Sequence, residues 1–187
     1  CGRLDAVLIT HDHADQTHGM DDVRAIAYAA RKRIDVFTDQ AARKSLMHKF
    51  GYIFATPEGS GYPPIMTMHE LPEPFAAVDV PGRGGDIPVL AFRQGHGRIH
   101  SLGFRFGAIA YSSDVNELDE DAFAVLDGVE CWIVDALRYT PHPSHAHLSR
   151  TLEWIARVKP NRAVLTNMHV DLDYYRLCRE LPPGVEP

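Results

Sequence analysis

The stretch "LITHDHADQTHGMDD", residues 8–22, decides how this chain is read. It overlaps the end of an apolar run of strand type, "LDAVLIT" (residues 4–10), rich in Val, Leu and Ile. Within it His11, His13 and His18 stand among Asp12, Asp15, Asp21 and Asp22. In an extended or turning segment, alternate side chains point the same way. His11, His13 and Asp15 therefore converge, while Asp12 and Ala14 turn aside. Imidazole nitrogens suit Zn, Mn, Fe or Ni, and a carboxylate adds a harder ligand. A solvated polar loop would accommodate any one of these histidines. The pattern H-x-H-x-D directly after a strand points instead to a metal site.

Composition sets the outer bounds. The chain has 187 residues, which fits one domain over 1–187, and a hydrophobic fraction of 45% supports a substantial core. The formal net charge of −6 gives no general attraction to nucleic acid or an anionic membrane, although a local basic pocket is compatible with it. Cys1, Cys131 and Cys178 are scattered with no CxxC pair, so neither a disulfide framework nor a zinc knuckle is expected. A reducing, cytoplasmic location is the default reading. No apolar run reaches the roughly 18 residues of a spanning helix, and no signal peptide is recognisable. "CGRLDAVLIT" enters a strand almost at once without an initiator Met, so residues are expected to precede Cys1.

Strand and helix patterns alternate along the chain. "MDDVRAIAYAARKR" reads as a helix capped by Asp21 or Asp22, with Val23, Ile26, Ala27 and Ala30 on one face. "IDVFTD" reads as a strand and "QAARKSLMHKF" as a helix. From residue 51 to about residue 85 the chain is rich in Pro and Gly, and a lid, a partner-contacting excursion or a mobile segment is expected there. "IPVLAFRQ", "SLGFRFG" and "AIAYSSD" read as successive strands, and "ELDEDAFAVLDG" as a short helix. "ECWIVD" is a strand, and "LSRTLEWIARVK" an amphipathic helix with Leu148, Leu152, Ile155 and Ala156 inward. "RAVLTN" is a strand and "LDYYRLCREL" the last helix. This is an α/β arrangement, in which sites gather at strand ends.

Four further polar clusters fall at such ends. In "QGHGRIHSLGFRF", His96 sits between two glycines that let the backbone bend and approach a site, while His100 reads as a strand or surface residue. In "AYSSDVN", Asp114 ends an apolar strand, after two serines that could hydrogen-bond to it. "YTPHPSHAHLS" carries His142, His145 and His147 in a Pro-bearing loop before a helix. "VLTNMHVDLDY" presents Asn167, His169, Asp171 and Asp173 at a strand end.

Taken in order, "THDHADQ", "GHGRIHSLGFRFG", "AYSSDV" and "VLTNMH" resemble the signature of the metallo-β-lactamase superfamily of hydrolases. Within it the chain is most similar to the branch of the phosphoribosyl 1,2-cyclic phosphate phosphodiesterases and, more distantly, ribonuclease Z. The resemblance implies an αββα sandwich: two packed β-sheets with flanking helices and a dinuclear site along one edge. It also implies that the family's first strands would lie before Leu4, so that the single domain is N-terminally incomplete.

Carried over residue by residue, the resemblance makes His11, His13 and His96 ligands of a first metal. Asp114 becomes the carboxylate bridging two metals, and Asp15 a ligand of the second. Gln16 and Asn167 stand where the family usually has histidines, and His169 follows two residues later as a substitute ligand. A carboxamide is a poorer Zn ligand than imidazole. One firmly bound Zn or Mn ion and a weaker second one are therefore expected. The implied chemistry is hydrolysis by metal-bound hydroxide, with Asp15 at the catalytic centre and His145, or His147 one step further on, as general acid. Asp12 or His18 would orient ligands from behind.

The function this implies is a phosphodiesterase acting on small cyclic or nucleotide-like phosphate esters. A ribonuclease Z-like nuclease and a hydrolytically weak metal- or nucleotide-binding module are the alternatives. The absence of a long basic or Gly-rich arm disfavours RNA. A small phosphate ester or nucleotide is the expected partner, with RNA second, a homodimer as one arrangement, and no membrane.

Overall fold

A computed structural model describes residues 3–73 and 75–187; Cys1, named above among the scattered cysteines, lies outside the described residues with Gly2 and Pro74. The chain divides into two compact units, Cys1–Ile87 and Pro88–Pro187.

The first unit runs β1 (Ala6–Leu8), α1 (Ala14–Thr17), a 3₁₀ segment (His18–Val23), α2 (Arg24–Ala30), β2 (Ile34–Thr38), α3 (Gln40–Phe54), β3 (Met66–Glu70) and β4 (Val78–Val80). Strands β1, β2 and β3 form a parallel sheet in that order, with Val7 opposite Val36 and Val36 opposite Met68. The central strand buries Ile34, Val36 and Phe37, as a parallel strand covered on both faces requires. Asp39 starts α3: its carboxylate accepts the Ala42 N–H at 2.8 Å. Leu46 and Ile53, seven residues apart on α3, are fully buried with Ile65 and Met66.

Two expectations change here. Neither Asp21 nor Asp22 caps α2, which is entered through the 3₁₀ turn without a side-chain cap, and Asp21 instead pairs with Arg24 at 2.5 Å. Ala27 is buried but Ala30 is exposed. The stretch 51–85 is also no single excursion, because α3 continues through it to Phe54 and β3 supplies a third strand. That strand, "MTMHE", alternates methionine with Thr and His, a pattern with little β signature of its own. Pairing with β2 decides it.

The second unit holds β5 (Ile87–His96), β6 (Ile99–Phe106), β7 (Ile109–Ser112), α4 (Glu120–Leu126), β8 (Cys131–Asp135), α5 (Leu148–Val158), β9 (Arg162–Thr166), α6 (Tyr174–Glu180) and β10 (Val185–Glu186). Its strands lie in the order β10-β9-β8-β7-β6-β5. Antiparallel pairing joins β5 to β6 and β6 to β7, and parallel pairing joins β7, β8, β9 and β10. Helices α4, α5 and α6 lie in the connections between the parallel strands, so β7, β8 and β9 all end at the same edge. Trp132, Val134, Leu126 and Leu177 form the centre of the core.

On α5 the inward residues are Leu148, Thr151, Trp154 and Ile155; Leu152 is half-buried and Ala156 exposed. The bulk of Trp154 turns the buried stripe by one position, and the Thr151 hydroxyl donates to the Asp135 carbonyl at 2.6 Å. Cys131 and Cys178 are free. No helix among the described residues is long and apolar enough to cross a membrane.

Candidate functional site

In the first unit, the segment after β1 stays irregular for His11–His13 before α1 begins. His11 is buried and His13 exposed, with ring centroids 4.4 Å apart and ring planes at 76°. His11 Nδ1 lies 2.9 Å from the Thr10 hydroxyl, which fixes the ring and leaves Nε2 as its other donor atom. Asp12 turns aside, as alternation requires. Its carboxylate accepts from Ser45 Oγ at 2.5 Å and Lys49 Nζ at 3.1 Å, both on α3. The Ser45 hydrogen bond, reinforced by Lys49, holds the Asp12 carboxyl below its ordinary range despite partial burial. Asp12 thereby ties the two-histidine turn to the helix. Asp15 lies exposed in the first turn of α1, and Gln16 Nε2 donates to its carboxylate at 3.3 Å. His18 is exposed, with its ring edge toward Phe50 at 6.0 Å.

In the second unit, four polar ends meet. His96 closes β5, flanked by the two glycines. A Cβ on Gly95 would stand 2.9 Å from Glu117 Cβ; Gly97 has φ +64° and lies 3.0 Å from Ser144 Cβ by the same construction. Only glycine permits both approaches. They bring the His142–His145 loop against the β5–β6 turn, so that His96 Nδ1 donates to the Ser144 carbonyl at 2.6 Å. Asn116 secures this junction: its carbonyl accepts from Gly97 N–H at 3.1 Å and its amide donates to the Pro143 carbonyl at 2.9 Å.

Asp114 follows β7 in a left-handed conformation, φ +51°, uncommon for a residue with a Cβ and concentrated at functional sites. Its main-chain carbonyl accepts from Ser101 Oγ at 2.8 Å. Ser112, one of the two serines before it, is engaged by the Trp132 indole N–H instead. Asp114 Oδ2 stands 3.7 Å from His96 Nε2, too long for a hydrogen bond. Two ligand atoms at about 2.0–2.2 Å from one tetrahedral ion stand roughly 3.3–3.6 Å apart. With Nδ1 fixed on a carbonyl, Nε2 and the neighbouring carboxylate oxygen are a donor pair that fits a divalent ion.

Asp135, at the end of β8, was legible only as a strand terminus. It is fully buried, and its Oδ2 accepts from His145 Nδ1 at 2.8 Å and from the Val115 N–H at 3.1 Å. Burial pushes the Asp135 carboxyl up, and the His145 hydrogen bond pulls it back down. The His145 ring lies edge-on to His96 with centroids 4.9 Å apart, and His142 packs 5.2 Å away. Burial first, then the neighbouring charges of His145 and Arg138, pushes the His142 ring below its usual value. His147 is the residue before α5 and makes no side-chain cap; its carbonyl accepts from Thr151 N–H.

At the end of β9, Asn167 and His169 take different roles from those expected. Asn167 is left-handed, φ +59°, and its amide donates to Asp114 Oδ1 at 2.7 Å. The His169 ring pairs with Asp171, and its side chain is 57% exposed. The left-handed turn sends the Asn167 side chain to Asp114 and carries His169 onward to the surface.

Strand-end imidazoles and carboxylates on two sheets flanked by helices place the chain in the class of metallo-β-lactamase-fold proteins. It belongs to the family described as beta-lactamase superfamily domain, whose model matches residues 1–168. A solved structure of a new diphosphatase from the PhnP family is 27% identical, with a TM-score of 0.87, covering 100% of this chain and 68% of that one. The short form of human tRNase Z is 18% identical with a TM-score of 0.64, covering 89% of this chain and 73% of that one. A curated relative named octanoyltransferase, from Porphyromonas gingivalis (strain ATCC BAA-308 / W83), is 28% identical over 185 residues, 97% of this chain. The chain spans only 36% of that protein's length. The likeness to the PhnP-family structure extends over the whole chain, and the likeness to tRNase Z shows a shared fold.

Proposed function

We propose that this chain is a metal-dependent phosphodiesterase acting on small cyclic or nucleotide-like phosphate esters. His11, His13, His96 and Asp114 would hold one divalent ion, Zn or Mn, and Asp15 would stand at the catalytic centre. When bound, the ion lowers the pKa of a water toward neutrality and withdraws charge from the phosphoryl oxygens.

The observation that carries the reading is the hydrogen bond between the buried Asp135 and the half-buried His145, whose ring is set edge-on to His96. The Asp135 carboxylate holds Nδ1–H and stabilises the doubly protonated ring, so that Nε2–H can protonate a departing alkoxide. His147 has no such carboxylate partner among the hydrogen bonds of the described residues, which makes His145 the stronger general acid. Likeness to a PhnP-family diphosphatase supports a phosphoryl substrate, and the net charge of −6 favours a small ester over RNA.

The test is metal analysis of the purified chain, paired with turnover of bis(p-nitrophenyl) phosphate, a ribose-type cyclic phosphodiester and a structured RNA. Turnover of the small esters with bound metal is expected. Cleavage of the RNA alone would transfer the site to a nuclease. Metal binding with no turnover of any of the three would make the chain a binding module.

A further inference from the structure

We infer that this chain holds a single divalent ion, because the carboxamides of Asn167 and Gln16 take the places on Asp114 and Asp15 that a second cation would occupy. The inference rests on the proposed metal site and concerns how many ions it takes.

A second cation would draw on the lone pairs of the Asp114 carboxylate, and a carboxamide N–H already draws on them in the second unit. Asp114 Oδ2 is the oxygen beside His96, and Oδ1 accepts the Asn167 amide at 2.7 Å. That is the short length of a hydrogen bond to a charged acceptor. The contact is fixed from both sides, since Asp114 and Asn167 are each held in a left-handed turn and the Asp114 carbonyl is held by Ser101. Offering its oxygen instead would require the Asn167 amide to turn over and give up this hydrogen bond. A neutral N–H thus stands where a cation would be.

The first unit repeats the device. Gln16 Nε2 donates to Asp15 Oδ2, at a looser 3.3 Å, on the other carboxylate that the resemblance assigns to a second ion. Nor does His169 supply the missing imidazole, because its ring is engaged by Asp171 on the surface. Both carboxylates accept a carboxamide N–H, which supplies part of the compensation a second ion would give.

The experiment counts ions without reference to turnover. The metal-stripped chain is titrated with Zn and, separately, with Mn, and bound metal is read by calorimetry, native mass spectrometry and elemental analysis. One ion per chain is expected. The double variant Gln16→His/Asn167→His should move toward two, with its fold checked by circular dichroism. Two ions of comparable affinity in the unaltered chain would overturn the inference, and that measurement needs no variant. A folded double variant that stays at one ion would remove the count from these two carboxamides and overturn it as well. No bound ion at all would sink the metal site itself, an outcome distinct from a count of two.

Discussion

Asp135→Asn isolates the charge behind His145. Asp135 is fully buried, and both of its hydrogen bonds, from His145 Nδ1 and from the Val115 N–H, fall on Oδ2. An asparagine can place its carbonyl there and keep both. Its NH₂ then takes the place of Oδ1, which has no hydrogen-bond partner among the described residues, so one unpartnered buried group replaces another. Shape and orientation survive, and the negative charge is lost. Two unit charges about 4 Å apart at an effective dielectric of about 20 interact by about 4 kcal/mol. The desolvation that pushes the Asp135 carboxyl up offsets part of that. General acid catalysis contributes about 10²–10⁴-fold, so removing the charge while keeping the orienting bond should lose about 10²–10³-fold on an alkyl or ribose-type phosphodiester. A p-nitrophenolate leaves without a proton, and its ester should lose less than about tenfold. Metal content should not change, because neither Asp135 nor His145 is assigned as a ligand. His145→Ala should follow the same split with larger losses. The assay is kcat on both esters for each variant. Equal losses on the two substrates would mean that the pair binds phosphate or shapes the loop, and His145 would leave the acid role.

Gly103→Ala should destabilise the second unit, because its Cβ would lie 2.3 Å from Phe92 Cζ and 2.8 Å from Gln94 Oε1, both on buried side chains. Overpacking of this kind costs about 1–3 kcal/mol, and at about 2–4 °C per kcal/mol for a chain of this size thermal unfolding should move down by several degrees; an unchanged melting temperature would contradict the packing. The Arg162 hydrogen bond holds the Glu186 carboxyl below its ordinary value of 4.5, so its contribution is present at neutral pH and fades as pH falls below about 4.5. Glu186→Gln should therefore lose stability at pH 7 and approach the unaltered chain in acid, measured by urea unfolding at both pH values. The difference should be small because the pair is exposed.

Much of this protein is written locally. Short apolar runs with a His, Asp or Asn at or just past their ends mark β1, β5, β7 and β9, and each is a strand where the pattern places it. Asp39, Asp119 and Asp173 cap their helices through bonds that span three residues of chain. Alternation after β1 separates Asp12 from its neighbouring histidines, and the structure turns it to Ser45 and Lys49. These features depend on backbone geometry within one or two turns; periodicity reports the strands and the turned-aside Asp12, whereas the one cap it named, Asp21 or Asp22, is not formed.

Other features depend on which distant strand ends come together, and local pattern holds no record of that. Nothing in "MTMHE" announces a strand until β2 supplies the partner. Asp135 looks like any acidic strand terminus until the parallel register of β7, β8 and β9 sets the strand ends at one edge and the chain returns with His145. Asn116 and Ser144 become supports of His96 only when the β5–β6 turn meets the histidine loop. The choice between Asn167 and His169, two residues apart in sequence, is made by a left-handed residue that reaches a carboxylate 53 positions earlier in the chain. The sequence by itself determined which residue types stand at the strand ends. Tertiary structure decided which of them meet, because parallel register and the handedness of single turns arise from long-range packing.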